Sequence, residues 1–417
     1  MVRVSGPRAE EALRALCGNL PPPRRARRAR LRDPESGGDI DDGIVLWFPG
    51  PYSATGEDIT EFQVHGSRAV LSALLAALGR MGLRLADPGE FTRRAFLNAK
   101  LDLTQVEAIA DLVAAETESQ RRQALRQLDG ALGELYRGWS AQLLRLLAHL
   151  EAVIDFPDED LPPEIEREVV AESTLLAAEI DKHLADHRRG ERLRDGITVA
   201  IVGAPNVGKS SLLNRLAQRE AAITSPVAGT TRDVIEVAVD LGGYPVVLAD
   251  TAGLRETADE IEREGLRRAL ARAETAELRL FVFDAREPQE AAGASAWSGA
   301  DTLIVANKID VAPCAPLPPN ALAVSAVTGE GIAALTDALA RRVARDYDIA
   351  APLLTRARHR EALEVAHEAL SRSLETSLPE LRAEDLRLAW RSLGQITGQT
   401  DVEDLLDVIF AEFCIGK

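Results

Sequence analysis

The octapeptide Gly203-Ala204-Pro205-Asn206-Val207-Gly208-Lys209-Ser210 has the residue types and spacing of a cradle for a polyphosphate. Its glycines let successive backbone N–H groups converge on phosphate oxygens, and a helix opening at its end adds partial positive charge. Lys209 then reaches the β and γ phosphates, and Ser210 offers a hydroxyl to Mg²⁺. Four further stretches follow at intervals that suit a guanine nucleotide: Gly229-Thr230-Thr231-Arg232-Asp233, Asp250-Thr251-Ala252-Gly253, Asn307-Lys308-Ile309-Asp310 and Ser325-Ala326. Thr231 suits Mg²⁺ and the γ phosphate on a loop released by hydrolysis. Asp250 suits the outer coordination sphere of Mg²⁺, and the Gly253 N–H suits the γ phosphate. Asp310 selects the base, because a carboxylate can accept from guanine N1–H and N2–H₂ while adenine lacks that pair of donors. Leaving it unpaired costs about 1–3 kcal/mol or more. Ser325 and Ala326 close the base pocket. Each stretch alone reads equally well as a turn or a strand end; together and in order they read as a GTP site.

Hydrolysis needs a positioned water and positive charge at the breaking bond. The residue after Gly253 is Leu254, where Ras-like proteins carry glutamine, so the water must be held from elsewhere. Glu256, Glu260, Glu262 and Glu264 lie just downstream, and most of them must be a solvated helix face. Asn206 offers an amide oxygen beside the phosphates, where it and nearby carbonyls could hold a monovalent cation in place of an arginine finger.

These groups need a scaffold of alternating strands and helices. Ile197–Val202 reads as a buried parallel strand before the phosphate loop, and Ser211–Leu216 as the helix after it. Strand-like runs at Val234–Val239, Tyr244–Ala249, Leu278–Phe283, Thr302–Ala306 and Ala321–Val324 predict a mostly parallel sheet covered on both faces. Ahead of this section, Pro7–Leu16 and Ser67–Arg80 read as helices, and Gly43–Phe48 and Asp58–His65 as strands. Residues 100–153 read as helical, with Leu128, Leu132, Leu135, Trp139, Leu143, Leu146, Leu150 and Val153 forming one stripe along a long helix. A helix over 163–189 and a short linker at Gly190–Gly196 follow. After Asp346 the pattern is helical again, and Thr400 with Glu403 marks the cap of a last helix, Asp401–Phe413, with Leu405, Leu406, Ile409, Phe410 and Phe413 on its apolar face. The economical arrangement is a nucleotide-binding domain inserted between two segments of one helical domain.

The 417 residues carry a net charge of −17, which argues against a large surface for gripping nucleic acid. One local exception is Arg24–Arg32, six arginines after three prolines, read first as a solvated edge or loop and otherwise as a patch for RNA or a partner. Cys17, Cys314 and Cys414 form no CxxC pair, as fits a reducing cytoplasm without a cysteine metal site. The acidic run Asp155–Asp160 reads as a solvated loop. No stretch has the length of a membrane span or the form of a secretion leader.

Leu46-Trp47-Phe48-Pro49-Gly50-Pro51, Thr55-Gly56-Glu57-Asp58, Pro88-Gly89-Glu90-Phe91-Thr92, Arg94-Ala95-Phe96-Leu97-Asn98 and Phe413-Cys414-Ile415-Gly416-Lys417 resemble the MnmE (TrmE) family of tRNA modification GTPases, over essentially the whole chain. The resemblance implies a multidomain α/β and α fold: an α+β folate-binding and dimerisation domain over 1–98, a helical domain over 99–196 and 346–417, and an inserted Ras-like P-loop G domain over 197–345. It implies a homodimer that joins the FAD-dependent partner MnmG in a heterotetramer. Together they add an aminomethyl-type or carboxymethylaminomethyl group to C5 of the wobble uridine of certain tRNAs, with a one-carbon unit from 5-formyl- or methylene-tetrahydrofolate. The tRNA would be held largely through the partner.

Residue by residue, the resemblance puts potassium on Asn206, Ser225, Val227 and Thr230, and Mg²⁺ on Ser210 and Thr231. Of the four glutamates it singles out Glu262 as catalytic, beside Asn206 and Lys209. Nucleotide contacts fall on Asn206, Val207, Gly208, Lys209, Ser210 and Ser211, then Ser225, Pro226, Val227, Ala228, Gly229, Thr230 and Thr231. They continue on Asp250, Thr251, Ala252 and Gly253, then Asn307, Lys308 and Asp310, then Ser325 and Ala326. Folate contacts fall on Arg3, Glu61, Lys100 and Lys417. The opening Met1-Val2-Arg3-Val4-Ser5-Gly6 lacks a strand and Gly-rich loop that family members usually carry before the matching arginine, so a shortened start is expected. The rival reading from another class is a GTP-switched ribosome-assembly factor of the Era or Der type, which would carry a basic RNA-binding appendage. A third is a GTPase without modification activity.

Overall fold

The computed structural model describes residues 1–156, 164–219, 236–250, 274–297, 301–311, 316–347 and 353–400, with Leu406, Ile409 and Phe410. They belong to two compact units: Met1–Ala110 with Gln127–Leu176 and Val365–Lys417, and Asp111–Arg126 with Ala177–Glu364.

In the first unit, β1 (Val2–Ser5), β2 (Arg27–Arg32), β3 (Asp39–Phe48) and β4 (Ile59–Gln63) form an antiparallel sheet in the order β1-β4-β3-β2. Helices α1 (Ala9–Cys17) and α2 (Arg68–Arg80) bury Leu13, Leu16, Leu74 and Leu78 in a core shared with Leu31, Val45 and Phe62 of the sheet. The arginine run is thus an edge strand. Ala29 and Leu31 point inward while Arg28, Arg30 and Arg32 are exposed. Arg28 pairs with Asp42 at 2.7 Å and Arg32 with Asp39 at 3.0 Å across the β2–β3 ladder. Charge on an edge strand also discourages further strand addition.

The unit continues through α3 (Glu90–Leu97) and, as far as Ala110, through α4 (Leu103–Ala114). The long helix expected over 100–153 is three: α4, α5 (Glu118–Leu128) and α6 (Ala131–Asp155). The last break falls at Gly130, whose φ of 94° a side chain rarely adopts, so Leu128 ends one helix and the stripe from Leu132 to Leu150 lies on the next. That stripe packs against a helix over Pro379–Thr397. Of the residues expected in the last helix three are described, and these, Leu406, Ile409 and Phe410, are buried and join Leu103 and Val106 in one cluster. Glu403, Leu405 and Phe413 lie outside the described residues; the Thr400 hydroxyl donates to Arg391 O at 2.9 Å.

The second unit holds a sheet in the order β10-β9-β8-β5-β7-β6, from β5 (Ile197–Val202), β6 (Glu236–Leu241), β7 (Tyr244–Asp250), β8 (Leu278–Asp284), β9 (Asp301–Asn307) and β10 (Ala321–Ala323). All pairings are parallel except β6 with β7. The β5 run Ile-Thr-Val-Ala-Ile-Val, apolar but for Thr198, is covered on both faces, as that near-continuous apolar character requires. The chain goes from β5 to β7 on one side and to β8 on the other, so the crevice for a ligand opens at the carboxyl end of β5.

The linker expected at Gly190–Gly196 is instead α8 (Arg189–Asp195), which follows α7 (Glu164–Leu184). Tertiary contacts account for it: Leu193 joins the core of the sheet, and a Cβ on Gly190 would lie 2.1 Å from Leu354 O. Arg360 fastens this region, donating to Leu184 O at 2.9 Å and pairing with Asp186 at 2.6 Å and Glu191 at 2.8 Å. Among the described residues no helix is long and apolar enough to cross a membrane.

Candidate functional site

The phosphate loop leaves β5 at Gly203, where φ is 146° and a Cβ would meet Val282 O at 2.0 Å. Asn206 and Gly208 follow in the left-handed region at φ 62° and 95°. This alternation turns N–H groups toward one centre, and α9 (Lys209–Arg219) begins immediately after. The Lys209 ammonium donates to Gly203 O at 2.9 Å and Ala204 O at 2.8 Å, curling over the loop it would share with a phosphate. Burial lowers its proton affinity, and Asp250 at the end of β7 partly restores it. A polyanion beside Lys209 would stabilise the ammonium further. Asn206 and Ser210 are exposed at the rim and Ser211 is exposed on the first turn of α9.

The base-reading loop follows β9. Asn307 is buried and tied to both neighbours: its amide donates to Val207 O at 2.8 Å, and its Oδ1 accepts from Ala326 N at 3.0 Å. One side chain therefore fixes the phosphate loop against the Ser325-Ala326 loop. Lys308, at φ 67°, donates to Asn206 O at 2.6 Å and to Asp284 at 3.0 Å. Asp310 is exposed, so its carboxylate can take a base from solvent. The Ser325 hydroxyl accepts from Thr328 N at 3.0 Å, and Arg215 of α9 donates to Ala326 O at 3.0 Å and to Val327 O.

The structure thus brings together Asn206, Val207, Gly208, Lys209, Ser210, Ser211, Asp250, Asn307, Lys308, Asp310, Ser325 and Ala326 at the carboxyl ends of the strands of one sheet. Ser225, Pro226, Val227, Ala228, Gly229, Thr230, Thr231, Thr251, Ala252, Gly253 and Glu262 lie outside the described residues. The described donor set fits magnesium with a nucleotide, since the Ser210 hydroxyl is open and the Asp250 carboxylate is near enough to act on the Lys209 charge. Arg215, Asp284 and Arg286 were not expected at this site. An aspartate closing a buried strand, with an arginine two residues on, is the only signal the sequence holds for the latter two.

A second group of expected residues lies in the first unit. Arg3 and Glu61 face each other across the β1–β4 ladder, with the guanidinium 2.7 Å from the carboxylate and 5.7 Å from the centre of the Phe91 ring. Lys100 stands 5.9 Å from the centre of the Tyr52 ring, and its Cε would be 3.4 Å from a Cβ on Gly56. Lys417 lies outside the described residues. The turn-rich segment 49–58 is held by Arg94, which pairs with Glu57 at 2.8 Å and Glu90 at 2.6 Å, and by Asn98, which donates to Thr55 O at 2.7 Å.

Bonds from Arg84, then Arg94 and the Asp87 N–H, lower the Glu90 carboxyl to about 2 from an ordinary 4.5. A folded-state pKa below the unfolded value gives stability that is present above about 4.5 and lost as pH falls toward 2. We expect Glu90→Gln to lower the thermal midpoint at neutral pH and the difference from wild type to vanish below about pH 2. Thermal unfolding across that range measures it.

A six-stranded, mostly parallel sheet carrying a phosphate loop, a buried asparagine behind it and an exposed Asp310 defines a P-loop GTPase domain. Residues 1–100 match the family model described as "GTP-binding protein TrmE N-terminus", and residues 103–414 the model described as "MnmE helical domain". The chain is 58% identical to the tRNA modification GTPase MnmE of Rhodospirillum rubrum, covering 100% of this chain and 96% of that protein. It is 56% identical to the protein of that name from Parvibaculum lavamentivorans, again over 100% and 96%. Among solved structures, Aquifex aeolicus Era bound to GDP and AlF4⁻ is 26% identical over 44% of this chain and 69% of that one, with a TM-score of 0.29. The chain belongs to the MnmE family of tRNA modification GTPases.

Proposed function

We propose that this GTPase is the potassium-activated, GTP-hydrolysing component of a complex that adds an aminomethyl-type or carboxymethylaminomethyl group to C5 of the tRNA wobble uridine. The observation that carries the nucleotide half of this reading is the double tie of Asn307 to Val207 and Ala326, which holds the phosphate and base sites in one frame. In this reading Asp310 reads guanine, Lys209 leaves the Gly203 and Ala204 carbonyls for the β and γ phosphates, and the loop N–H groups take the remaining oxygens. Ser210 and Thr231 hold Mg²⁺, while Asn206, Ser225, Val227 and Thr230 hold K⁺. These ions would supply positive charge for the phosphoryl oxygens at the breaking bond. Glu262 orients the attacking water.

Arg3, Glu61, Lys100 and Lys417 are the proposed contacts for a tetrahydrofolate derivative. The Arg3–Glu61 pair supports this by orienting a carboxylate through a guanidinium that itself lies over the Phe91 ring, an arrangement able to receive the donor groups of a pterin. The domain division at 98, 196 and 345, the homodimer, the FAD-containing partner MnmG, tRNA binding largely through that partner and a cytoplasmic location are part of the same proposal. The net charge of −17 supports leaving most of the tRNA contact to another protein.

Two measurements test it. GTP turnover should be much faster in KCl than in NaCl and should fall by about a hundredfold or more in Glu262→Ala, the size of a lost catalytic base. Equal rates in the two salts would remove the cation role of Asn206. Mass spectrometry of wobble uridines from a strain lacking its own family member, with and without this chain, should show the modified nucleoside only when the chain is supplied. Its absence would leave a GTPase without this modification.

A further inference from the structure

We infer that Asp284 is a positioning residue that sets Asn206 at the rim of the phosphate loop by acting through Lys308. This rests on the cation role proposed for Asn206. The connection is continuous in the structure: Asp284 accepts from Lys308 Nζ at 3.0 Å, and the same ammonium donates to Asn206 O at 2.6 Å. Both Lys308 and Asn206 occupy left-handed backbone, at φ 67° and 62°. A lysine held there needs outside support, because that region disfavours most residues other than glycine, although asparagine adopts it more readily. The lysine's own ammonium supplies that support by bridging Asp284 and the Asn206 carbonyl, which also fixes the carbonyl at the rim of the loop.

Asp284 is placed to do this while its Oδ1 also holds the turn after β8, accepting from Arg286 N at 3.0 Å. Its carboxylate closes β8, buried to 6% exposure, and it is gripped on the other side by Arg286, with Nε at 2.9 Å and Nη2 at 2.6 Å. The arginine and the lysine together keep the carboxyl ionised far below its usual range. Asp284 Oδ2 is therefore a fixed, fully charged acceptor shared by two cations. Arg286 is exposed and holds Asp284 in place; Lys308 carries its effect onward. A base docked on the 307–310 loop and a cation docked on Asn206 would then share one anchor, so loosening Asp284 should weaken both.

The test uses the full chain. In Asp284→Asn, the KCl concentration giving half-maximal GTP turnover should rise about fivefold, and fluorescent GDP should dissociate about fivefold faster, as for loss of one charge-assisted hydrogen bond. Turnover at saturating KCl and GTP should stay within about twofold, because Asp284 does not touch the reacting atoms. Asp284→Glu keeps the charge for Arg286 but displaces the lysine contact, so it should shift the half-maximal KCl in the same direction while preserving the fold. Arg286→Ala should shift both quantities in the same direction as Asp284→Asn but by less, about twofold, since it loosens Asp284 while the Lys308 contact survives.

If wild-type protein turns GTP over equally in KCl and NaCl, the cation reading fails, and GDP release alone decides the link from Asp284 to Lys308. If wild type prefers potassium but both Asp284 variants keep wild-type half-activation and GDP release, the inference is overturned. Should Asp284→Asn not fold, Asp284→Glu decides in its place.

Discussion

Gly208→Ala should weaken nucleotide binding about a hundredfold without unfolding the sheet. Gly208 stands at φ 95°, and a Cβ there would come 2.4 Å from the Asn307 amide nitrogen. That nitrogen is already committed to Val207 O, so the new methyl must push Asn307 aside or flatten the loop. Either outcome moves backbone N–H groups by about 1 Å from their convergent aim, a displacement of a size that costs about a hundredfold at a positioned site. Titration with fluorescent GDP measures the affinity, and far-ultraviolet circular dichroism checks the fold. A variant binding GDP within about tenfold of wild type would mean that the loop N–H groups are not what holds the phosphates.

The second large effect concerns the base. Asp310→Asn should raise the KM for GTP by about a hundredfold or more, since two charge-assisted hydrogen bonds are replaced by one neutral bond and one clash of donors. Xanthosine triphosphate should become the better substrate. Its C2 carbonyl can accept from the new amide nitrogen while its N1–H donates to the amide oxygen. Competition between the two nucleotides in one assay gives the ratio directly. If the variant still preferred GTP, Asp310 would not be the residue that reads guanine.

Much of this site is legible in the linear chain because its parts are local. Gly203 through Ser210 must turn tightly between a run too apolar to be anything but buried and a helix, and Asn307 through Asp310 stands at the end of another such run. What escapes is what depends on a distant partner. Arg27–Arg32 forms a strand only because β3 offers backbone to pair with and Asp39 and Asp42 to meet the charge. The charged Arg189–Asp195 forms a helix because Leu193 finds the sheet core and Gly190 finds Leu354. The break at Gly130 was visible as a glycine, yet the stripe of leucines runs through it with helical spacing and hides it. Asp284 and Arg286 looked like an ordinary strand end; their use depends on Lys308, 24 residues further along.

Arg360 gives the molecule one more property. By reaching Leu184, Asp186 and Glu191 it brings the two ends of the long stretch from Glu191 to Arg360 within a single side chain's length. A segment whose ends meet imposes little strain on the chain that carries it, because closure entropy grows only with the logarithm of its length. Lengthening a loop between those two points should therefore cost the fold little, each doubling of a loop adding only about 0.6 kcal/mol.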